Sequence, residues 1–246
     1  MKASTFEFRF RMIIQIVIVF LGFWAPWMGM GNPGRRVATL EWLALQVSRT
    51  GMQSFRTAVP TVIVLGTLVA LAGAVLRVWG AAYLGYDVVH HGQMQGGAVI
   101  AAGPYRHVRN PLYLGGWCMM AAVALLMPPS GALFTVVLVG IFYLRLIFGE
   151  EAFLARQLRD PYRDYRRAVP RLVPRLRSNL PRSEVRPQWL VGFLTEVNAI
   201  GVFVSIAFLS WTYNNLLMIK AIVVSFGLSL IVRAFMPRGE NRARTG

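Results

Sequence analysis

The chain has a single cysteine, Cys118, only ten acidic residues and two lysines among its 246 residues. One cysteine excludes an intrachain disulfide framework and a metal site built from several cysteines. Charged residues make up 15% of the chain, whereas a soluble domain carries about a quarter. Hydrophobic residues make up 56%, in long runs separated by arginine-rich segments. This alternation predicts an all-α integral membrane protein.

The net charge of +16 raises the question of a nucleic-acid partner, but its distribution favours a membrane surface. Most of the excess flanks apolar runs, where cations bind anionic phospholipid head groups and set topology. We therefore expect no nucleic-acid partner. We also expect no metal, because the three histidines, His90, His91 and His107, have only Asp87 at ligand spacing.

Apolar runs predict about six transmembrane helices and, over 37–47, an amphipathic interfacial helix. Glycines within or beside the runs are expected to allow close helix packing. The fifth run contains Glu196, and facing lipid would cost this residue about 2.5–3.5 kcal/mol, so we expect it to face the bundle. We expect it to be neutral and paired with Asn198 or to line a substrate path, and we favour packing. The predicted spans are about 12–27, 58–79, 112–127, 131–148, 189–209 and 216–235.

Basic residues predict the topology. Eleven lie between Arg145 and Arg186, whereas the long segment after the first span has four. The positive-inside rule then places both termini in the cytoplasm. Arginine outnumbers lysine 24 to two, which suggests a bacterial cytoplasmic membrane. Three regions are predicted: an N-terminal two-span region (1–80), a core (81–187), and a C-terminal hairpin with its tail (188–246).

Two polar clusters flank the third and fourth spans. The first reads GPYRHVRNPLYLG over 103–115, and the second begins with Glu150 and Glu151. The Met-Pro-Pro-Ser-Gly turn over 127–131 is short, so the open ends of the hairpin must lie side by side. Asn110 and Glu151 are therefore predicted neighbours. Guanidinium, carboxylate and aromatic groups suit a zwitterionic, cationic ligand such as S-adenosylmethionine (SAM), although chemistry alone admits other nucleotide-like ligands.

Both clusters resemble the signature of the isoprenylcysteine carboxyl methyltransferase and phospholipid methyltransferase superfamily: Gly-Pro-Tyr, Arg-(His or Asn)-Pro-x-Tyr-x-Gly, Glu-Glu, and Tyr-x-x-Tyr with Val-Pro. The resemblance covers about 83–175. It implies a cytoplasmic-side pocket for SAM and methyl transfer to a membrane-embedded, lipid-like acceptor with a carboxylate or amine head group. The cofactor contacts that it implies are Gly103, Pro104, Tyr105, Arg106, Arg109, Asn110, Pro111, Tyr113, Glu150 and Glu151.

Catalytic roles are expected for Arg109, Glu150 and Glu151, since an amine acceptor must lose a proton before it attacks. Substrate or lid roles are expected for His107, Arg145, Tyr162 and Tyr165. The isoprenylcysteine branch usually has histidine at the position of Asn110, which argues against an isoprenylcysteine acceptor.

Simpler interpretations remain open. Glu150 and Glu151 are also explained by salt bridges to Arg145 and Arg156, and Arg109 by a role as a topology anchor. Two other classes of protein fit the same pattern. One is an NADPH-dependent membrane reductase of the steroid reductase kind, and the other is a non-catalytic membrane protein whose arginines bind anionic lipids or a partner.

Overall fold

A computed structural model describes residues 3–24, 37–84, 99, 101–178, 180 and 185–235. Expectations about the turn over 31–34, about His90 and His91 and about the tail 238–246 lie outside these ranges. The described residues form ten α-helices and one 3-10 turn, Gly103–Arg106, and contain no strand. The helices are α1 (Thr5–Arg9), α2 (Arg11–Trp24), α3 (Thr39–Arg49), α4 (Phe55–Leu84), α5 (Pro111–Ala124), α6 (Pro129–Gln157), α7 (Arg159–Ala168), α8 (Trp189–Thr195), α9 (Val197–Thr212) and α10 (Asn215–Phe235).

Three of the described helices, α4, α6 and α10, are long and apolar enough to cross a bilayer. Helices α8 and α9 pass the same test together, although a bend of 68° separates them. Helices α2 and α5 are apolar but have 14 residues each, which spans about 21 Å of a hydrocarbon core of about 30 Å. The all-helical, membrane-type architecture is confirmed, with three or four candidate spans in the described residues in place of the predicted six.

The predicted fifth span is broken at Glu196. This residue ends α8 and precedes α9 with φ −110° and ψ 23°, outside helical geometry. The Thr195 hydroxyl bonds back to the carbonyl of Val191 at 2.8 Å, and the Glu196 side chain is drawn into an ion pair with α4. The predicted fifth span is therefore two shorter helices, α8 and α9, with the ion-paired Glu196 between them.

Close contacts between small residues set the core. A Cβ on Gly73 of α4 would meet the carbonyl oxygen of Gly115 of α5 at 2.8 Å, and one on Gly115 would meet the Gly73 carbonyl at 2.7 Å. Such an approach is open only to residues without a side chain. The predicted packing role of these glycines is confirmed. Because α4 and α5 touch backbone to backbone, the loop before α5 is held against the end of α4.

The hairpin of α5 and α6 gives the bundle two distinct ends. At the turn, the backbone nitrogens of Thr39 and Leu40 donate to the carbonyls of Met127 and Leu125, at 2.8 and 3.0 Å. Helix α3 thus packs at the closed end of the hairpin, close to where the sequence predicts a helix. At the open end, the Ala3 nitrogen donates to the carbonyl of Arg145 at 3.0 Å. The sequence motifs all lie at this open end, which we call the motif end.

Candidate functional site

The loop over 103–110, here called the motif loop, depends on one glycine. Gly103 has φ +52°, and the ring of Tyr83 occupies the space where a Cβ would project. The left-handed conformation and the close aromatic contact both favour glycine. Pro104 and Tyr105 follow as a buried 3-10 turn. Glycine at the start of the loop therefore sends the Tyr105 side chain into the interior.

Asn110 and Glu151 meet at the motif end. Nδ2 of Asn110 donates to Oε1 of Glu151 at 3.2 Å and to the backbone carbonyl of Arg171 at 3.2 Å. Asn110 is the N-cap of α5, with Pro111 at the first helical position, and its side chain makes no capping hydrogen bond. The amide is therefore directed across to α6. The predicted proximity of Asn110 and Glu151 is confirmed.

Glu150 has a different neighbour. The side chains of Tyr113 and of Arg11 on α2 are both close enough to interact with its carboxylate. The Tyr113 ring makes an edge contact with the ring of Tyr143 at 5.4 Å between centroids. Consecutive residues on a helix point about 100° apart. The two glutamates therefore contact Asn110 and Tyr113 separately and do not form a joint carboxylate pair.

Arg171, for which no role was predicted, is the strongest partner of Glu151. Its NH2 lies 2.9 Å from Oε2 of Glu151, and its Nε lies 3.2 Å from each carboxylate oxygen. The guanidinium also stacks over the Phe148 ring at 4.6 Å. Arg109 approaches the same carboxylate, with NH1 3.5 Å from Oε1. The only sequence signal for this contact is that Arg171 directly follows the Val169-Pro170 pair of the motif.

The segment after α7, residues 169–175, packs over the motif loop and is here called the cover. The backbone nitrogen of Arg109 donates to the carbonyl of Pro170 at 2.9 Å, and that of Arg175 donates to the carbonyl of His107 at 3.0 Å. Nδ1 of His107 also lies 2.7 Å from the Arg175 carbonyl oxygen. The hydroxyl of Tyr165 donates to the Tyr105 carbonyl at 2.8 Å. These bonds fix the motif loop against both α7 and the cover.

Three further predicted residues lie around this cluster. Arg106 donates from NH2 to the carbonyl of Leu180, which lies further along the chain than the cover. Tyr162 is buried and packs against Tyr165, with ring centroids 6.0 Å apart. Arg145 lies away from both glutamates of the motif and forms a two-point ion pair with Glu7 of α1, at 2.8 and 3.0 Å. Glu7 was not predicted, although Ser4 and Glu7 form a capping box that could be read from the sequence.

Burial shapes the protonation of the site. It raises the pKa of the Tyr105, Tyr162 and Tyr165 hydroxyls, so that all three stay protonated at neutral pH. Burial lowers the pKa of the Arg109 guanidinium, and the positive charges of Arg171 and Arg166 act in the same direction, while Glu151 opposes them. The site thus holds crowded positive charge around one carboxylate.

A second buried charge pair lies between α4 and the break in the α8–α9 span. Nε and NH2 of Arg77 donate to the two carboxylate oxygens of Glu196 at 2.6 and 2.9 Å, and NH1 donates to the Leu112 carbonyl at 3.2 Å. Glu196 is 2% exposed. The expected pairing of Glu196 with Asn198 is wrong, since the amide oxygen of Asn198 accepts from Ser225 at 3.2 Å. The C-terminal hairpin is therefore tied directly to the motif end.

Apolar helices of spanning length indicate an integral membrane protein, and a charged, aromatic cluster lies at one end of its hairpin. Residues 61–160, about two fifths of the chain, match the family model described as phospholipid methyltransferase. This match confirms the resemblance predicted from the sequence, and it indicates a membrane enzyme of the methyltransferase type. No curated protein and no solved structure matches the chain significantly.

Proposed function

We propose that the protein transfers the methyl group of SAM to a membrane-embedded, lipid-like acceptor whose head group carries an amine or a carboxylate. The observation that carries this proposal is the contact between the two halves of the motif. Asn110 at the start of α5 donates to Glu151 of α6, and Tyr113 lies close to Glu150, so the first turn of α5 is held against α6. The match to a phospholipid methyltransferase family supports a lipid acceptor.

The residues present fit such a cofactor. The Tyr105 hydroxyl and Nε of Arg106 are buried and make no hydrogen bond within the described part of the chain. Buried donors of this kind ordinarily have partners, so they fit a ligand that brings acceptor oxygens, as the carboxylate and ribose of SAM do. The carboxylates of Glu150 and Glu151 suit an ammonium group and tolerate a sulfonium nearby. Together with Asn110, these residues would hold SAM.

When bound, SAM supplies a methyl group that its sulfonium sulfur already activates. The protein's own part is then to position the acceptor and to exclude water. The cover over 169–175 and the buried tyrosines exclude water. Arg109 and Arg171 both pair with Glu151 and so fix the position of this carboxylate in the site.

The acceptor's chemistry decides whether a base is needed. A carboxylate acceptor attacks as it is, whereas an ammonium group must first release a proton. We assign that role to Glu150, because Glu151 is held by two arginines and Asn110, whereas Glu150 lies beside Tyr113. His107 is the second choice, since its Nδ1 is engaged with the Arg175 carbonyl.

The test is Glu151→Gln beside Glu41→Gln, which removes an exposed carboxylate on α3. Losing one partner of a buried charge pair costs about 2–5 kcal/mol, so we expect SAM binding at least about 30-fold weaker in Glu151→Gln. Thermal-shift titration of purified protein measures binding, and labelled SAM incubated with membranes measures transfer into extracted lipid. Unchanged SAM affinity and transfer in Glu151→Gln would remove this carboxylate from the site.

The alternatives are tested in the same experiment. The family match does not support an NADPH-dependent reductase, and stabilisation by NADPH with none by SAM would reinstate it. A purely lipid-binding protein predicts no labelled product and tolerance of Glu151→Gln. We also propose that the motif end faces the cytoplasm, because the arginine-rich segments lie there. Reporter fusions to the two termini measure this orientation.

A further inference from the structure

A polar cavity opens beside the motif loop. It has a volume of about 300 Å³ and is lined by four arginines, Arg109, Arg163, Arg166 and Arg167. The last three project from α7, and Arg109 comes from the motif loop. A cavity of this size accommodates a tetrahedral anion with part of what is attached to it. Guanidinium groups bind phosphate through paired N–H donors, so the lining selects for that chemistry.

Arg109 supplies an independent sign of a missing ligand. Its side chain is 8% exposed, yet neither its Nε nor its NH1 makes a hydrogen bond within the described part of the chain. The contact of NH1 with Glu151 is an ion pair at 3.5 Å, too long for a hydrogen bond. A buried guanidinium with unused donors is costly unless an acceptor reaches it. An anion in the cavity would supply acceptors where Arg109 lacks them.

Neighbouring carboxylates only partly offset the positive charge. Arg163 pairs with Asp160 at 3.0 Å and Arg167 with Asp164 at 3.5 Å. Both aspartates are largely exposed, at 81% and 74%, and exposed pairs of this kind stabilise little. Glu151 is already shared with Arg171. The cavity therefore keeps an excess of positive charge that attracts an anion.

The position of α7 decides the source of that anion. Helix α7 begins at Arg159, two residues after the end of α6, which is long and apolar enough to span a bilayer. It buries Tyr162 and Tyr165 and turns its arginines outward. Aromatic and basic residues at the end of a span are typical of the lipid head-group layer. The cavity therefore lies where lipid phosphates are concentrated.

We propose that this cavity binds the phosphate group of an anionic membrane lipid, as a second ligand site beside the proposed cofactor pocket. The bound phosphate completes the hydrogen bonds of Arg109 and so links the charge of the bilayer surface to the Arg109–Glu151 pair. This site goes beyond the proposed methyl transfer, because a lipid without an amine or carboxylate can fill it.

The experiment compares the double variant R163Q/R167Q with the double variant R49Q/R56Q. Both lose two exposed arginines and the same charge, but Arg49 and Arg56 flank the α3–α4 connection, away from the motif end. Purified full-length protein is titrated with phosphatidylglycerol in detergent micelles, and bound lipid is counted by native mass spectrometry. Phosphatidylglycerol is chosen because it has no amine or carboxylate to methylate.

We expect R163Q/R167Q to bind phosphatidylglycerol about 30-fold more weakly than the unmodified protein, since each arginine near a lipid surface contributes about fivefold. R49Q/R56Q should bind as the unmodified protein does. Equal losses in the two variants would reduce the effect to overall charge and overturn the site. Equally tight binding of inorganic phosphate alone would overturn the lipid assignment.

SAM binding, measured separately by thermal shift, keeps the two proposals apart. If R163Q/R167Q loses lipid but keeps SAM affinity, the cavity is a distinct site. If it loses SAM and keeps lipid, the cavity belongs to the cofactor and the lipid proposal fails. A protein that binds phosphatidylglycerol at this cavity but never binds SAM would refute the proposed function and leave the lipid site standing.

Discussion

The buried ion pair between Arg77 and Glu196 makes a quantitative test of how the C-terminal hairpin is attached. Glu196 is 2% exposed, and both of its oxygens accept from the Arg77 guanidinium, at 2.6 and 2.9 Å. Removing one partner of such a pair costs about 3–5 kcal/mol, because the other charge stays buried without compensation. We expect Glu196→Leu to destabilise the protein by this amount.

For a chain of this length, about 1 kcal/mol lowers the unfolding temperature by about 2–4 °C. Glu196→Leu should therefore unfold about 6–20 °C below the unmodified protein. Tryptophan fluorescence during heating in detergent measures the transition. Glu41→Gln, which removes an exposed carboxylate on α3, is the matched control and should stay within about 0.5 kcal/mol.

The double variant Arg77→Met with Glu196→Leu separates the pair from its surroundings. Replacing both members of a buried pair by apolar residues of similar size is often neutral, so most of the lost stability should return. An unchanged unfolding temperature in Glu196→Leu would show that this carboxylate is not paired in the buried position. A double variant as unstable as the single one would refute the reasoning from unpaired charge.

Three further predictions follow from other contacts. Hydrogen bonding to Arg145 lowers the pKa of Glu7 to about 2. The stability that this pair contributes is therefore complete above about pH 4.5 and is lost as the pH falls toward 2. Unfolding experiments at several pH values should show this loss in the unmodified protein and should not show it in Glu7→Gln. Gly73→Val should cost about 1–3 kcal/mol or more in unfolding experiments, because its side chain would collide with the Gly115 carbonyl. Gly103→Ala should cost about 1–3 kcal/mol at φ +52° and weaken SAM binding, and unaltered binding and stability would contradict the loop geometry.

The link between the C-terminal hairpin and the motif end bears on the function of the whole chain. Arg77 lies inside the segment that matches the family, whereas Glu196 lies outside it. The same guanidinium also holds the Leu112 carbonyl near the start of α5. A protein truncated after α7 would leave Arg77 without its carboxylate next to the first turn of α5. The hairpin is therefore part of the structure that positions the site.

Several features could be predicted from the sequence because they depend on local pattern. Long apolar runs specify helices, and α10 forms close to its predicted bounds, whereas α4 and α6 continue to Leu84 and Gln157, beyond the predicted ends at 79 and 148. A turn of five residues forces the two motif halves together, which is why the contact between Asn110 and Glu151 could be expected before any coordinates. Chain connectivity alone fixes this proximity.

Only the tertiary structure decided which partner each charge takes. Arg171 binds Glu151, Glu7 binds Arg145, and Glu196 binds Arg77, which is 119 positions away. Such pairings depend on how each helix is rotated about its axis and where it bends, and hydropathy carries neither quantity. The break at Glu196 is the clearest case, because it coincides with an ion pair to an arginine on another helix. Sequence alone determined the helices and the meeting of the motifs, while packing determined the ion pairs that hold them.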